Sequence, residues 1–387
     1  MDKHQIHKFS KKLLQGPVFP HLEKYLKSEV KKENFAPISI NLDLTTACNY
    51  QCSHCIDKDI INTGEMLDFK YVKTLIENWS KNGLKSVILI GGGEPTLYPY
   101  FEEAVRFLKN LSLQIAIVTN GTQNNKIENI CQLLDEKDWI RLSLDAGINE
   151  TFQKLHCPKI KINLEEILQS IKRIRKKNPR VQIGYSFLII GDDKYVNNLQ
   201  ISNNIKEIVH AAKLAKENGF SYLSVKPFIS PGGSHKTQIS DKNLQEIKEE
   251  IKKAREIEDE NFKIIESINL LCFYDNDLKK AMQNQCKICH AQAFRLVVAP
   301  AGIFQCSLWR GFDNAKIIDT NQEITDDYYE RFHQNRIKMI NSFNAKEICK
   351  DTNCLYAPFN YSIESYMTHP EKIKELKSID DFNDYFL

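Results

Sequence analysis

No stretch of this sequence approaches the roughly 18 uninterrupted apolar residues of a membrane span. The start, Met1-Asp2-Lys3-His4-Gln5-Ile6-His7-Lys8, also lacks an apolar core of signal-peptide length. Both absences point to a cytoplasmic chain that makes no use of a membrane. A charge excess is missing too: 53 Lys and Arg against 50 Asp and Glu leave +3, which gives no electrostatic case for a nucleic-acid partner. The basic runs Lys172 to Lys177 and Lys248 to Lys253 fall in helical patterns and read as solvated helix faces. No repeat below domain scale is evident, and neither is a paired-carboxylate or Ser/His/Asp arrangement. What the chain does have is cysteine, 11 in 387 residues, together with a 42% hydrophobic content that permits a sizeable core. In a reducing compartment clustered thiols point to metal ligation more than to disulfides.

The densest cluster is Cys48-Asn49-Tyr50-Gln51-Cys52-Ser53-His54-Cys55. It follows the alternating run Ile38 to Thr45, so the three thiols occupy a loop at the C-terminal end of a strand. Spacings of three and then two residues let one tight loop aim three thiolates at a common point. That suits a cubane iron-sulfur cluster with three protein-ligated irons and a fourth left open. A structural zinc site on Cys48, Cys52, Cys55 and His54 is the competing reading.

The spacing and setting of these cysteines resemble the radical S-adenosylmethionine (radical SAM) superfamily. The resemblance implies that the open iron chelates the methionyl group of S-adenosylmethionine. It further implies that one-electron reduction of the sulfonium yields a 5'-deoxyadenosyl radical, which abstracts hydrogen from a substrate. A flavodoxin- or ferredoxin-type electron donor is implied as well.

Beyond the loop, strand and helix patterns alternate. Strands are expected at Ser86–Ile90, Gln114–Thr119, Trp139–Leu144, Val181–Ile190 and Tyr222–Lys226. Helices are expected near 69–79, 100–109, 126–134, 164–176 and 201–218. Six such units predict an α/β fold, a partial (β/α)6 TIM-like barrel with right-handed crossovers, whose reactive groups gather at strand C-termini. The expected organisation is an N-terminal helical extension over 1–36 that covers the bottom or flank, a barrel over 37–260, and a small C-terminal α+β module over 261–387.

The strand ends carry the remaining motifs. Gly91-Gly92-Gly93-Glu94-Pro95 follows the second strand, with glycines that permit close backbone approach and a carboxylate suited to an ammonium. It resembles the superfamily's Gly-Gly-Glu-Pro motif, which assigns Gly92, Gly93 and Glu94 to the cofactor's amino group. Asn120, Ser143 and Asp145 end the third and fourth strands and are expected on the ribose side, although Asn-Gly and Asp-Ala-Gly are also ordinary turn chemistry. Tyr185 and Lys226 are expected to rim the same cavity; Lys226 could anchor a substrate or donate a proton, but a solvated or salt-bridged lysine is the favoured reading.

A second cysteine group comprises Cys286-x2-Cys289, a hairpin pattern Leu296–Gln305 that delivers Cys306, and Cys349-x4-Cys354. It resembles the auxiliary-cluster modules called SPASM and twitch. Three residues separate Gly302 from Cys306 rather than the usual four, and the tail of a two-cluster module is missing, so a twitch-like module with one four-iron cluster is implied. Cys306, Cys349 and Cys354 are the expected ligands, with Cys286 or Cys289 as the fourth; a zinc ribbon from the two pairs is the rival. Cys131 and Cys272 are expected to be buried thiols, and Cys157 is read as having no role.

These features together predict a radical SAM enzyme, an oxidoreductase or a relative of one. With 47 residues before Cys48 and no room there for a leader-binding domain, the expected substrate is a small polar metabolite such as a sugar, nucleotide-sugar or amino-acid derivative. A peptide-modifying maturase and a non-catalytic metal scaffold are the alternatives.

Overall fold

A computed structural model describes residues 9–27, 35–191, 194–196, 199–201, 203–228, 239–350 and 352–387. The charged stretch expected to complete the N-terminal extension, up to Glu33, lies outside the described residues. Helices α1 (Phe9–Lys12) and α2 (Phe19–Leu26) precede strand β1 (Ser39–Leu42). Then come α3 (Phe69–Lys81), β2 (Ser86–Leu89), α4 (Phe101–Asn110), β3 (Gln114–Thr119), α5 (Asn124–Ile130), β4 (Trp139–Ser143), α6 (Asn149–His156), α7 (Leu164–Lys177) and β5 (Gln182–Ile189). A short hairpin, β6 (Lys194–Val196) and β7 (Leu199–Ile201), leads to α8 (Ile208–Glu217), β8 (Tyr222–Pro227), α9 (Asp241–Arg255) and β9 (Lys263–Glu266).

The C-terminal part adds α10 (Ile268–Leu271), α11 (Asn276–Gln283), β10 (Arg295–Ala299), β11 (Gly302–Phe304) and β12 (Lys316–Ile318). Helices α12 (Asp326–Ser342), α13 (Ala345–Ile348), α14 (Ala357–Thr368) and α15 (Pro370–Glu375) complete it.

One ten-stranded sheet runs β12-β11-β10-β1-β2-β3-β4-β5-β8-β9. Its pairs from β10 through β9 are all parallel, and β11 and β12 join antiparallel. This is the partial TIM-like barrel expected, lengthened at both ends. Strands such as Ser-Val-Ile-Leu of β2 are buried throughout because helices cover one face and the lumen the other. Local signals agree: α7 opens with a capping box in which Asn163 and Glu166 exchange side-chain and backbone hydrogen bonds, and it ends on Arg175, Lys176 and Lys177.

Four departures from expectation have physical reasons. The helix expected from Ile201 begins at Ile208, because Asn204, fully buried, spends its amide on Ile190 N, Leu188 O and Asp145 O and so ties the chain to the ends of β4 and β5. The helix expected to reach Leu134 leaves α-geometry after Ile130 and closes as a tight 3-10 turn over Cys131–Leu133. The C-terminal hairpin is not a detached sheet: β10 pairs parallel with β1 in register Ser39↔Arg295 to Leu42↔Val298. Finally, the bottom of the barrel is closed by the C-terminal segment. Ser86 Oγ donates to Tyr385 O at 2.8 Å, Gln114 Nε2 donates to Asn383 O at 2.8 Å, and Phe386 packs edge-on to Trp139. The N-terminal helices sit on the flank against Phe294, Phe359 and Ile363, and reach the plug through Lys12, which pairs with Asp384 at 2.9 Å.

No helix among the described residues is long and apolar enough to cross a membrane.

Candidate functional site

Three loops meet at the C-terminal edge of the parallel strands. The cysteine loop after β1 is anchored by Tyr50, a fully buried ring packed against Phe152 and His156. Its Asn49 side chain accepts from Asn120 Nδ2 at 2.8 Å and donates to Thr122 Oγ1 at 2.9 Å, joining it to the end of β3. Asn120, expected on the ribose side, is thus engaged by the cysteine loop.

The glycine loop after β2 lies directly on the chain that leads to Cys48. A Cβ at Gly93 would meet Ala47 O at 2.4 Å and Thr45 O at 2.6 Å, both backbone atoms, so only glycine fits there. Glu94 N donates to Ala47 O at 2.8 Å. The Glu94 carboxylate is 3% exposed and accepts from Thr96 N, Thr96 Oγ1, Thr119 Oγ1 and Asn120 N. A carboxylate has about four acceptor positions, so the protein's own donors occupy most of Glu94, which locks the glycine loop to β3. Burial raises its pKa, and the four hydrogen bonds oppose that rise.

At the end of β4 Ser143 is half-buried, in register with Ser186 of β5. Asp145 takes a positive φ of 52° and is buried. Its carboxylate is no open acceptor for a ribose: it takes His54 Nε2 at 3.1 Å and Leu188 N at 2.8 Å, and lies 3.6 Å from His156 Nε2. Burial raises its pKa, but the His54 hydrogen bond and the two imidazoles prevail and hold it low. His156 in turn reaches Cys52 Sγ through Nδ1 at 3.2 Å and Leu144 O through Nε2 at 2.9 Å. The sequence reading missed His156, whose helix α6 shows a buried face at Phe152, Leu155 and His156 that could have revealed it.

Tyr185 does not rim this cavity. Side chains alternate along a strand, so Ser186 and Tyr185 cannot share a face. Tyr185 is fully buried on the helix side, bonded to Ala146 O and packed on Phe220, whereas Lys226 lies on the lumen side, level with Leu188.

The two cysteine sets are electrostatically coupled within themselves. Cys52 feels Cys55 and Cys48, and burial together with these neighbours holds its thiol well above the ordinary value; burial and the neighbouring Asp57 lift Cys55 to about 11. In the C-terminal set Cys289 feels Cys354, Cys306 and Cys349. Cys286 instead faces Glu364 and Tyr361. The structure therefore gathers Cys289, Cys306, Cys349 and Cys354, and Cys286 stands apart. Cys131 and Cys272 are buried thiols, and Cys157 is exposed at the C-cap of α6.

Spacing bears on the metal. Zinc at about 2.3 Å from each sulfur draws tetrahedral ligands to about 3.8 Å from one another. Among the described residues, the group of His, Cys, Asp or Glu donors that closes to within 4.8 Å is Cys52, His54 and His156.

A buried ion cluster ties the two cysteine regions together. Arg310, four residues past Cys306, reaches Asp43 Oδ2 at 2.6 Å and both Asp57 oxygens at 2.8 and 2.7 Å. Asp43 directly follows β1, and Asp57 lies two residues past Cys55.

Residues 42–199 match the family described as the Radical SAM superfamily. Those residues form a radical SAM domain. Among curated relatives, a Bacillus subtilis (strain 168) protein named for peptide biosynthesis, YydG, is 26% identical over 54% of this chain and 60% of its own length. An S-adenosylmethionine-dependent nucleotide dehydratase of Thermoplasmatales archaeon (strain ISO4-H5) is 32% identical over 28% of this chain and 38% of its own. The chain thus spans less than two thirds of either relative. Streptococcus suis SuiB superposes with a TM-score of 0.58 at 15% identity, over 79% of this chain and 69% of its own. The structure titled anSMEcpe with bound AdoMet gives 0.54 at 14%, over 88% and 98%. These two likenesses concern the fold.

The radical SAM domain implies a four-iron cluster and S-adenosylmethionine. The donor chemistry fits both: three thiols on one loop for the cluster, and the glycine loop, pressed onto that loop at Gly93, for the cofactor.

Proposed function

We propose that this radical SAM enzyme abstracts hydrogen from a small anionic metabolite held in the barrel lumen below the cysteine loop. Cys48, Cys52 and Cys55 hold the first cluster, and Cys289, Cys306, Cys349 and Cys354 hold an auxiliary one. Bound there, a four-iron cluster would supply one-electron reduction of S-adenosylmethionine. The chain's own residues do the rest. Gly92 and Gly93 present backbone to the cofactor's methionyl end, with Glu94 holding that backbone in place. Ser143 offers a hydroxyl on the ribose side. Asp145 orients His54 and His156 behind Cys52, fixing the loop that carries the thiols.

The observation that supports this most is the joint anchoring of the cysteine and glycine loops to the end of β3 through Asn49, Glu94 and Asn120. The nucleotide dehydratase relative favours a small anionic substrate. The YydG relative favours a second reading, a peptide-modifying enzyme. Anaerobic reconstitution, with iron, sulfide and zinc measured beside a Cys48/Cys52/Cys55→Ala variant, tests the first step. About eight irons falling to about four, with 5'-deoxyadenosine formed by the parent alone, is the expected result. Zinc without nucleoside formation would overturn the reading. Offering a nucleotide and a short peptide as alternative substrates then separates the two enzyme readings by which one becomes modified.

A further inference from the structure

Inside the barrel the face that carries Ser143 also carries two cations, Arg141 one step deeper and Lys226 one step nearer the strand ends. Arg141 on β4 lies below Ser143, and its guanidinium sits 5.3 Å over the Trp139 ring. Its Nε is buried without a hydrogen-bond partner. Lys226 lies at the C-terminal end of β8, two strands away. Neither residue is within ion-pair distance of a carboxylate among the described residues. The nearest acid that acts on both, Asp145, is committed to His54 and Leu188 N.

The strand between them is shaped for this. β5 places Gly184 opposite both Arg141 and Tyr222. A Cβ at Gly184 would meet Tyr222 ring atoms at 2.2 to 2.3 Å and its hydroxyl at 2.4 Å. The ring therefore lies across the bare backbone of β5 toward Arg141, a position any other residue at 184 would deny it. Ser186 and Ser224, buried and in register with each other, continue the polar wall upward to the level of Lys226. On the other side of Arg141 the same face turns apolar: Val118 is its register partner on β3, and Ile88, Ala116, Trp139 and Phe386 continue it.

Buried cations cost several kcal/mol unless an anion or a set of acceptors compensates them. Burial and the charge of Arg141 together push the Lys226 pKa well below its ordinary value.

We propose that Arg141 and Lys226, flanked by the Tyr222 hydroxyl and Ser186, form a lumen site for the carboxylate or phosphate of the substrate. This rests on the radical SAM reading of the loop above it. The site anchors one end of the substrate against the polar wall, leaving its apolar carbon skeleton to face Ile88 and Val118. The guanidinium offers paired donors to either anion, and Lys226 a point charge.

The test uses the anaerobically reconstituted full chain and two probes, inorganic phosphate and acetate, titrated calorimetrically against the parent, Arg141→Gln and Lys226→Gln. The parent is expected to bind one of the anions at one equivalent, and each variant to bind it at least about tenfold more weakly, a change of about 1.4 kcal/mol. Affinity for S-adenosylmethionine should stay within about twofold in both variants. Binding of phosphate alone supports a phosphorylated substrate, and binding of acetate alone a carboxylate.

Should a variant misfold, acylation of the parent's Lys226 amine, followed by mass spectrometry, takes its place; saturating anion is expected to slow it about tenfold. Failure of the parent to bind either probe, unchanged affinity in both variants, or unprotected Lys226 would overturn the proposal. So would a parallel loss of S-adenosylmethionine binding, which would assign the cations to the cofactor's own carboxylate. The parent's 5'-deoxyadenosine yield is read separately. Its absence would count against the radical reading, with the anion result standing by itself.

Discussion

The Asp43–Arg310–Asp57 cluster gives the sharpest prediction, because its energetics follow from burial and geometry. The Arg310 side chain is 5% exposed, and its partners Asp43 and Asp57 are 2% and 15% exposed. Burial raises both carboxylate pKa values, that of Asp43 to about 6, with Arg310 acting in the opposite direction. The guanidinium makes three hydrogen bonds, at 2.6, 2.8 and 2.7 Å.

Arg310→Met keeps most of the volume but strands two carboxylates in a site with little water. Breaking a buried pair on one side costs about 3–5 kcal/mol, most of it the penalty of the unpaired charge. Replacing the whole set is far milder, so Asp43→Asn/Asp57→Asn/Arg310→Met should regain most of that loss. The assay is denaturant unfolding of the reconstituted protein, with iron content measured on the same samples. Because Asp57 follows Cys55 and Arg310 follows Cys306, the single variant should also retain less iron. A loss below about 1 kcal/mol, or a triple variant no more stable than the single one, would refute the reasoning.

Other outcomes follow from the same geometry. Cys289→Ser should remove about four irons and leave those of the first cluster, whereas Cys286→Ser should keep the full count; equal losses would mean that Cys286 shares the ligand role. Glu94→Gln turns an amide N–H₂ against Asn120 N or the Thr96 and Thr119 donors, so about 2–3 kcal/mol of stability and most S-adenosylmethionine binding should be lost with iron retained, as read by unfolding and by nucleoside formation. Gly93→Ala drives a Cβ into backbone carbonyls and should abolish cluster assembly outright, as iron analysis will report. His21 is buried, stacked on Phe35, and burial lowers its pKa to about 3. A depressed pKa means that the unfolded chain takes up the proton first. Its contribution is therefore complete above the unfolded value near 6.5 and is lost as pH falls toward 3. His21→Phe should flatten unfolding midpoints over that window; an unchanged acid slope would count against the assignment.

What was legible in the sequence was whatever the chain states locally. Period-2 and period-3.6 patterns, with the strand-end glycines, announced a parallel α/β sheet, and two cysteine spacings announced two thiol groups at its rim. Those signals survive because a strand buried on both faces must be apolar, and because a metal-binding loop needs thiols at short range. Three matters needed the tertiary structure. Which of Cys286 and Cys289 joins the other three depends on where α14 places Glu364 and Tyr361, residues some seventy positions away. Whether Tyr185 or Ser186 faces the lumen is a parity of one residue, which an all-buried strand does not display. The roles of Asp145 and His156 arise from contacts among the cysteine loop, the end of β4, helix α6 and strand β5. The cationic wall was the least visible of all: Arg141, Gly184, Tyr222 and Lys226 sit on three strands spread over more than eighty residues, and register alone sets them side by side.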